Sequence, residues 1–127
     1  MSFNSEYQPF FQPPGWVVRP VWILLYTTLI ISISLVYSRR DDIERFGFIL
    51  TVFLAQLAIN IAWPAVFNSE QYLISFSMIL CMVTLSSLYL FLTWKSIPEA
   101  SKLMLPYIAW VSFAGIINAA YYLKFRT

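Results

Sequence analysis

Histidine is absent from this 127-residue sequence, and cysteine occurs once, as Cys81. Without histidine the chain lacks the usual ligand of protein-bound metals and haem, and the usual proton shuttle at neutral pH. A single cysteine cannot form an internal disulfide, and Cys81 lies in an apolar stretch where a small hydrophobic role is expected. The sequence therefore predicts no metal site and leaves the redox compartment open.

Charge is also scarce, and its distribution is uneven. Only 11% of the residues are charged, and the eight basic and six acidic side chains all fall outside four uncharged stretches, residues 20–38, 46–69, 71–94 and 103–123. A transmembrane helix needs about 20 predominantly apolar residues to cross a hydrocarbon core of about 30 Å. With 60% hydrophobic residues overall, the sequence predicts an all-α integral membrane protein, a bundle of four transmembrane helices.

The four expected spans use nearly the whole chain, so we expect one membrane domain over residues 1–127. Its helices should cover about residues 20–38, 46–67, 71–94 and 103–123, with residues 1–19 ahead of them as a lid loop. Short connections make consecutive helices antiparallel. The first apolar stretch lacks a basic segment before it and a small-residue cleavage site, so we interpret it as a span and not as a signal peptide.

The second span carries polar and aromatic side chains on one face. Gln56, Asn60, Trp63 and Phe67 follow one another at spacings of four, three and four residues. An amide in hydrocarbon is unfavourable without a partner, so this face should point into the bundle. Two alternatives stay open at this point: the amides bond to a neighbouring helix, or they line a cavity.

Two other helices offer surfaces that match this face. On the last span, residues spaced by four are Pro106, Trp110, Ala114 and Asn118, and the first span contributes Trp22 and Tyr26. The spans contain no pair of carboxylates, no nucleophile with a base and no phosphate-binding loop. The pattern favours a membrane pocket of aromatic and amide side chains, suited to a large, flat, mostly apolar ligand.

Three separated motifs resemble those of a known family. They are Pro13-Pro14-Gly15-Trp16 followed by Pro20-Val21-Trp22, then Gln56-x-x-x-Asn60-x-x-Trp63, then Leu105-Pro106-Tyr107-x-x-Trp110-x-x-Phe113-Ala114-x-x-x-Asn118. In this order they resemble the TspO/MBR family, the tryptophan-rich sensory proteins and translocator proteins, also called peripheral benzodiazepine receptors. The resemblance covers almost the whole chain.

This resemblance implies binding of tetrapyrroles such as protoporphyrin IX, of sterols in some members, and of synthetic isoquinoline and benzodiazepine-type ligands. It implies no other cofactor, and no nucleic-acid partner is expected. The ligand would lie between the helices, under the loop that contains Trp16. The positions that match pocket or motif residues are Trp22, Asn60, Trp63, Trp110, Ala114 and Asn118. Tyr26 and Gln56 join this expected ligand-binding set from the helix faces described above.

The sequence departs from the family pattern in its helix count and at one pocket position. Family members usually have five helices, and this sequence opens within what resembles the loop after the first of them. We therefore expect a second copy of the chain or lipid to cover the open side, and predict a homodimer. Arg19 stands where glycine usually precedes the Pro-Val-Trp motif. It either pairs with a porphyrin propionate or extends to lipid headgroups.

A third departure concerns catalysis. Some bacterial relatives have been linked to light-dependent porphyrin degradation through two tryptophans; Trp22 matches one of them, and Ala119 stands at the other position. The sequence thus predicts a tetrapyrrole-binding membrane protein with a sensory, scavenging or transport role. Two alternatives stay open, a tryptophan-dependent photo-oxidative enzyme with Trp22 as its catalytic residue, and a sterol-binding, lipid-binding or structural membrane partner.

Overall fold

The computed structural model describes residues 15–125, and four long helices account for most of them. They are α1 (Gly15–Ser38), α2 (Phe46–Asn68), α3 (Tyr72–Thr93) and α4 (Pro98–Phe125), and a single 3-10 turn, Arg40–Asp42, follows α1. Each helix is long and apolar enough to cross a membrane. No β-strand occurs between residues 15 and 125. The predicted four-helix, multi-pass integral membrane bundle is confirmed.

Two expected helix boundaries need correction. The first helix begins at Gly15 and not near Pro20, so Trp16 and Arg19 lie on α1 and not in a loop. The last helix begins at Pro98, five residues before its expected start. Proline fits the first position of a helix because its missing N–H needs no partner there and its φ is already helical. The first 14 residues of the expected lid loop lie outside the described residues.

The helices form an open ring in the order α1, α4, α3, α2. Helix α4 packs along both α1 and α3, and α3 packs along α2, whereas α1 and α2 meet only over a short stretch. Consecutive helices are antiparallel because their connections are short. The start of α1 therefore lies at the same end of the bundle as the α2–α3 turn, and the side between α1 and α2 is the least closed.

Hydroxyl groups tie three helices together at the opposite end. The Ser32 hydroxyl lies 2.8 Å from the Tyr89 hydroxyl and donates over 2.8 Å to the Ala100 carbonyl oxygen. The hydroxyls of Thr93 and Ser101 lie 2.5 Å apart. Lipid tails are as apolar as leucine, so membrane helices associate through packing and hydrogen bonds of this kind. This cluster fixes the start of α4 against α1 and α3.

The turn between α2 and α3 holds a residue with left-handed backbone. Glu70 has φ 63°, and it is the one non-glycine residue with positive φ in the described part of the chain. Its N–H donates to the Phe67 carbonyl over 3.0 Å, and the Gln71 N–H donates to the Val66 carbonyl over 3.4 Å. This pair of bonds closes the end of α2 in the way that glycine usually allows.

Replacing Glu70 with glycine is therefore expected to raise the free energy of unfolding by about 0.5–1 kcal/mol. The left-handed conformation costs an L-residue roughly 1–2 kcal/mol, and glycine removes this cost. Part of the stabilisation is lost because glycine has more conformational entropy in the unfolded chain. Reversible unfolding in mixed detergent micelles measures the change. The control is Ser69→Gly, because Ser69 has φ −84° and glycine there should lower stability. Equal effects at both positions would contradict the prediction.

Candidate functional site

A groove of about 480 Å³ opens between α1 and α2. It is lined by Arg19, Trp22, Ile23, Tyr26, Ile61 and Pro64. The first, second and fourth of these lie on one face of α1, since residues three and four apart stack along a helix. Pro64 has no N–H to donate to the carbonyl of residue 60, which weakens α2 at this point and disposes it to bend. The groove thus lies where the ring of helices is least closed.

Aromatic rings form the inner wall of this groove. The Trp22 ring lies with its centroid 5.7 Å from that of Tyr26, and 6.5 Å from that of Trp110, which it meets edge-on at 87°. Trp110 in turn lies 5.7 Å from Phe113. Edge-to-face and tilted arrangements at these distances are favourable contacts between aromatic rings. The wall therefore continues from α1 onto α4 behind the groove.

Three buried donors in this region have no hydrogen-bond partner among residues 15–125. They are Nε1 of Trp22, Nε1 of Trp110 and Nε2 of Gln56. A buried donor left without an acceptor costs about 1–3 kcal/mol. Of the three residues only Trp22 lines the groove, and a partner for its Nε1 has to supply oxygen or nitrogen lone pairs.

A chain of hydrogen bonds joins all four helices through the two amides of α2. The Tyr26 hydroxyl donates to Asn60 Oδ1, and Asn60 Nδ2 donates to the Tyr107 hydroxyl over 3.1 Å. The Tyr107 hydroxyl donates to Gln56 Oε1 over 2.6 Å, and the Ser86 hydroxyl donates to the same oxygen over 3.4 Å. Of the two alternatives that the sequence left open, the structure has the amides bonded to neighbouring helices, and neither of them lines the groove.

A second polar contact lies deeper between α2, α3 and α4. Trp63 Nε1 donates to Asn118 Oδ1 over 3.2 Å, and Asn118 Nδ2 donates to the Tyr72 carbonyl oxygen over 2.9 Å. The Trp63 ring stacks on Phe67 with centroids 4.9 Å apart. Ala114 is buried in the same interior. These residues are buried, and none of them lines the α1–α2 groove.

The structure divides the ten predicted site residues into four groups. Those that line the α1–α2 groove are Arg19, Trp22 and Tyr26. Trp110 stands behind them in the aromatic wall. Those packed in the interior are Gln56, Asn60, Trp63, Ala114 and Asn118. Trp16, on the first turn of α1, points outward and is 77% exposed. Whether any of them contacts a ligand stays a prediction.

Sequence reasoning missed several residues of this region. Ile23, Ile61 and Pro64 line the groove, and Tyr107 is the centre of the hydrogen-bond chain. Pro64 was visible as a helix-weakening residue within an apolar stretch. Tyr107 lies near the expected start of the last span, where tyrosine is typical of the membrane interface, so its position alone does not indicate a buried hydrogen-bonding role.

A second groove, of about 410 Å³, lies between α3 and α4. It is lined by Phe76, Ile79, Leu80, Val83, Thr84, Ser112, Gly115, Ile116 and Ala119. A Cβ atom added to Gly115 would come within 3.0 Å of Ile79 Cγ2, so glycine permits the close approach of the two helices. Ala119 lines this groove and not the one that contains Trp22.

Comparison with known proteins gives a consistent result. The sequence profile of the TspO/MBR family matches residues 2–123. The translocator protein homolog of Schizosaccharomyces pombe is 32% identical over 125 residues, which cover 94% of this chain and 75% of that protein. The tryptophan-rich protein TspO of Archaeoglobus fulgidus is 32% identical over 120 residues (91% and 74%), and the human translocator protein is 29% identical over 113 residues (87% and 67%). With nearly its whole length matched, the chain belongs to the TspO/MBR family.

Proposed function

We propose that this chain binds a tetrapyrrole in the α1–α2 groove and serves a sensory, scavenging or transport role. The main support for the proposal is the groove itself, which is lined by the indole ring of Trp22 and the phenol ring of Tyr26. Its volume of about 480 Å³ falls within the range of about 300–1,000 Å³ found for small-molecule sites. A flat conjugated ring offers large contact area to Trp22 and Tyr26. Membership of the TspO/MBR family supports the ligand class that the motifs imply.

Replacing Trp22 with phenylalanine is expected to weaken binding of protoporphyrin IX by about 3- to 10-fold. Aromatic contacts contribute about 0.5–1.5 kcal/mol beyond their buried area, and the variant also loses the unpaired indole N–H. The anisotropy of porphyrin fluorescence during titration with purified protein measures the affinity. The control is Trp94→Phe, because Trp94 lies at the far end of α3, outside the groove. Equal affinity of wild type and Trp22→Phe would refute the site.

The same preparation separates binding from catalysis. Reversible binding without a new absorbing species in light supports the binding role. A product that forms in illuminated wild type and disappears in Trp22→Phe would instead support the enzyme alternative. The enzyme alternative calls for two tryptophans of the family pattern. This chain has one of them, Trp22, because Ala119 occupies the other position.

A sterol is the second candidate, and the α3–α4 groove is the observation that favours it. That groove is almost wholly apolar, and Gly115 and Ala119 give it a flat floor on α4. A rigid, flat hydrocarbon fits such a surface because small residues permit close approach. A cholesterol arm in the titration distinguishes the two sites, because a sterol in the α3–α4 groove should not displace protoporphyrin IX.

The homodimer also stays a prediction. The side of the bundle between α1 and α2 presents large apolar side chains, with Ile23 70% and Ile61 66% exposed. A second copy packed along this side would cover the groove from the lipid and enclose its ligand. Binding and dimer formation would then support each other.

A further inference from the structure

Two of the three polar side chains along the α1–α2 groove can only donate hydrogen bonds. Arg19 lines it with a guanidinium group, which has five N–H donors and no acceptor. Trp22 lines it with an indole, which also only donates, and its Nε1 is buried without a partner among the described residues. The third, Tyr26, donates its proton to Asn60 Oδ1, so its hydroxyl oxygen can only accept from a guest. The groove lining contains no carboxylate, so the Arg19 guanidinium is matched to a guest that brings an anionic acceptor.

The position of Arg19 on α1 decides how such a guest is held. Arg19 precedes Trp22 by three residues, so the two side chains share one helix face, separated by about 4.5 Å of helix rise. Arg19 lies nearer the start of α1, and Trp22 lies further along the helix, towards the middle of the bundle. One molecule can therefore place an anionic end at Arg19 while its aromatic part contacts Trp22 and Tyr26.

Building on the proposed function, we infer that Arg19 is the specificity-determining residue of this groove. It selects amphiphiles that carry a carboxylate, which pairs with the guanidinium group through two parallel N–H···O bonds. Neutral guests of the same shape, such as a carboxylate ester, leave the guanidinium unpaired and bind more weakly.

A lipid headgroup phosphate offers the same oxyanion chemistry as a carboxylate. If Arg19 bound a headgroup instead, the charge of the tetrapyrrole would not matter in a membrane of anionic lipid. The inference requires that the carboxylate of the guest is preferred even there, because only the guest also contacts Trp22 and Tyr26.

The experiment compares protoporphyrin IX with its dimethyl ester, which has the same ring and no carboxylate. In an uncharged maltoside detergent, wild type should bind the free acid at least about ten-fold more tightly than the ester. Arg19→Gln should lose this preference by weakening acid binding alone, and Arg19→Lys should keep part of it, because lysine retains the charge without the planar fork. The matched control is Arg39→Gln. Arg39 contacts the Ser96 carbonyl at the opposite end of the bundle, so its variant should keep the full preference.

The titration is repeated in vesicles of phosphatidylcholine alone and of phosphatidylcholine with phosphatidylglycerol. The acid preference is expected in both, and its loss in the anionic vesicles would assign Arg19 to headgroups and overturn the inference. Equal weakening of acid and ester in Arg19→Gln would also overturn it, since that outcome indicates a structural role. If wild type binds acid and ester equally well, the proposed function stands and the inference fails. If wild type binds neither, the proposed function itself fails.

Discussion

Replacing Trp63 with alanine is expected to lower the free energy of unfolding by about 3 kcal/mol, the largest effect among the substitutions considered for this chain. Trp63 is 2% exposed and is stacked on Phe67, and its Nε1 donates to Asn118 Oδ1. In soluble cores, truncation of phenylalanine or tryptophan to alanine costs about 3–5 kcal/mol. The lower end applies here because lipid, unlike water, solvates an apolar side chain in the unfolded state. Unfolding in mixed detergent micelles measures the loss.

Two further variants make this result interpretable. Trp63→Phe keeps the stacking on Phe67 but loses the N–H that Asn118 accepts, so its loss should be intermediate and the protein should still fold. Trp94→Ala removes an equally large ring that is 47% exposed, and should cost less than about 0.5 kcal/mol. If Trp63→Ala and Trp94→Ala behaved alike, Trp63 would not lie in packed core. That result would favour the cavity wall that the sequence also allowed.

The number and class of the helices could be predicted from the sequence because charge is excluded from hydrocarbon. Four uncharged stretches of 19 to 24 residues leave few other folds. The helix starts were less certain, because proline both ends helices and begins them. Pro98 lies outside the expected last helix of residues 103–123, in line with the first property, yet it begins α4 through the second. The local signal that favours a helix start is Glu99 directly after Pro98, because acidic residues are favourable in the first turn of a helix.

The candidate site was predictable only in part, because the sequence indicates the faces of single helices but not which faces meet. Periodicity identifies the face on which Gln56 and Asn60 lie, and both are fully buried as expected. It does not identify what faces them. Their partners, Tyr26 and Tyr107, come from α1 and α4, and the ring order of the helices decides that these side chains meet. The opening between α1 and α2 likewise depends on how three other helix pairs pack.

The fully buried hydroxyl of Tyr107 provides the second large expected effect. Tyr107→Phe removes one oxygen and keeps the ring, yet it deletes the bond from Asn60 Nδ2 and the bond to Gln56 Oε1. Interhelical hydrogen bonds in membranes are each worth about 0.6 kcal/mol on average and up to about 1.7, and an amide left unpaired adds to the loss. We expect the free energy of unfolding to fall by about 2 kcal/mol, measured in mixed detergent micelles. Tyr37→Phe is the control, because Tyr37 is exposed on the bundle surface.

This substitution also tests whether the amides of α2 serve stability or binding. Asn60→Leu removes the same bond from the other side, so the double variant should lose less than the sum of the single losses. Because neither Asn60 nor Tyr107 lines the α1–α2 groove, the affinity of Tyr107→Phe for protoporphyrin IX should stay within about two-fold of wild type, a difference of about 0.4 kcal/mol. In Trp22→Phe the affinity for protoporphyrin IX should instead fall by about 3- to 10-fold, because Trp22 lines the groove. A Tyr107→Phe protein that keeps its stability and loses its ligand would move the binding site from the groove into the hydrogen-bond chain.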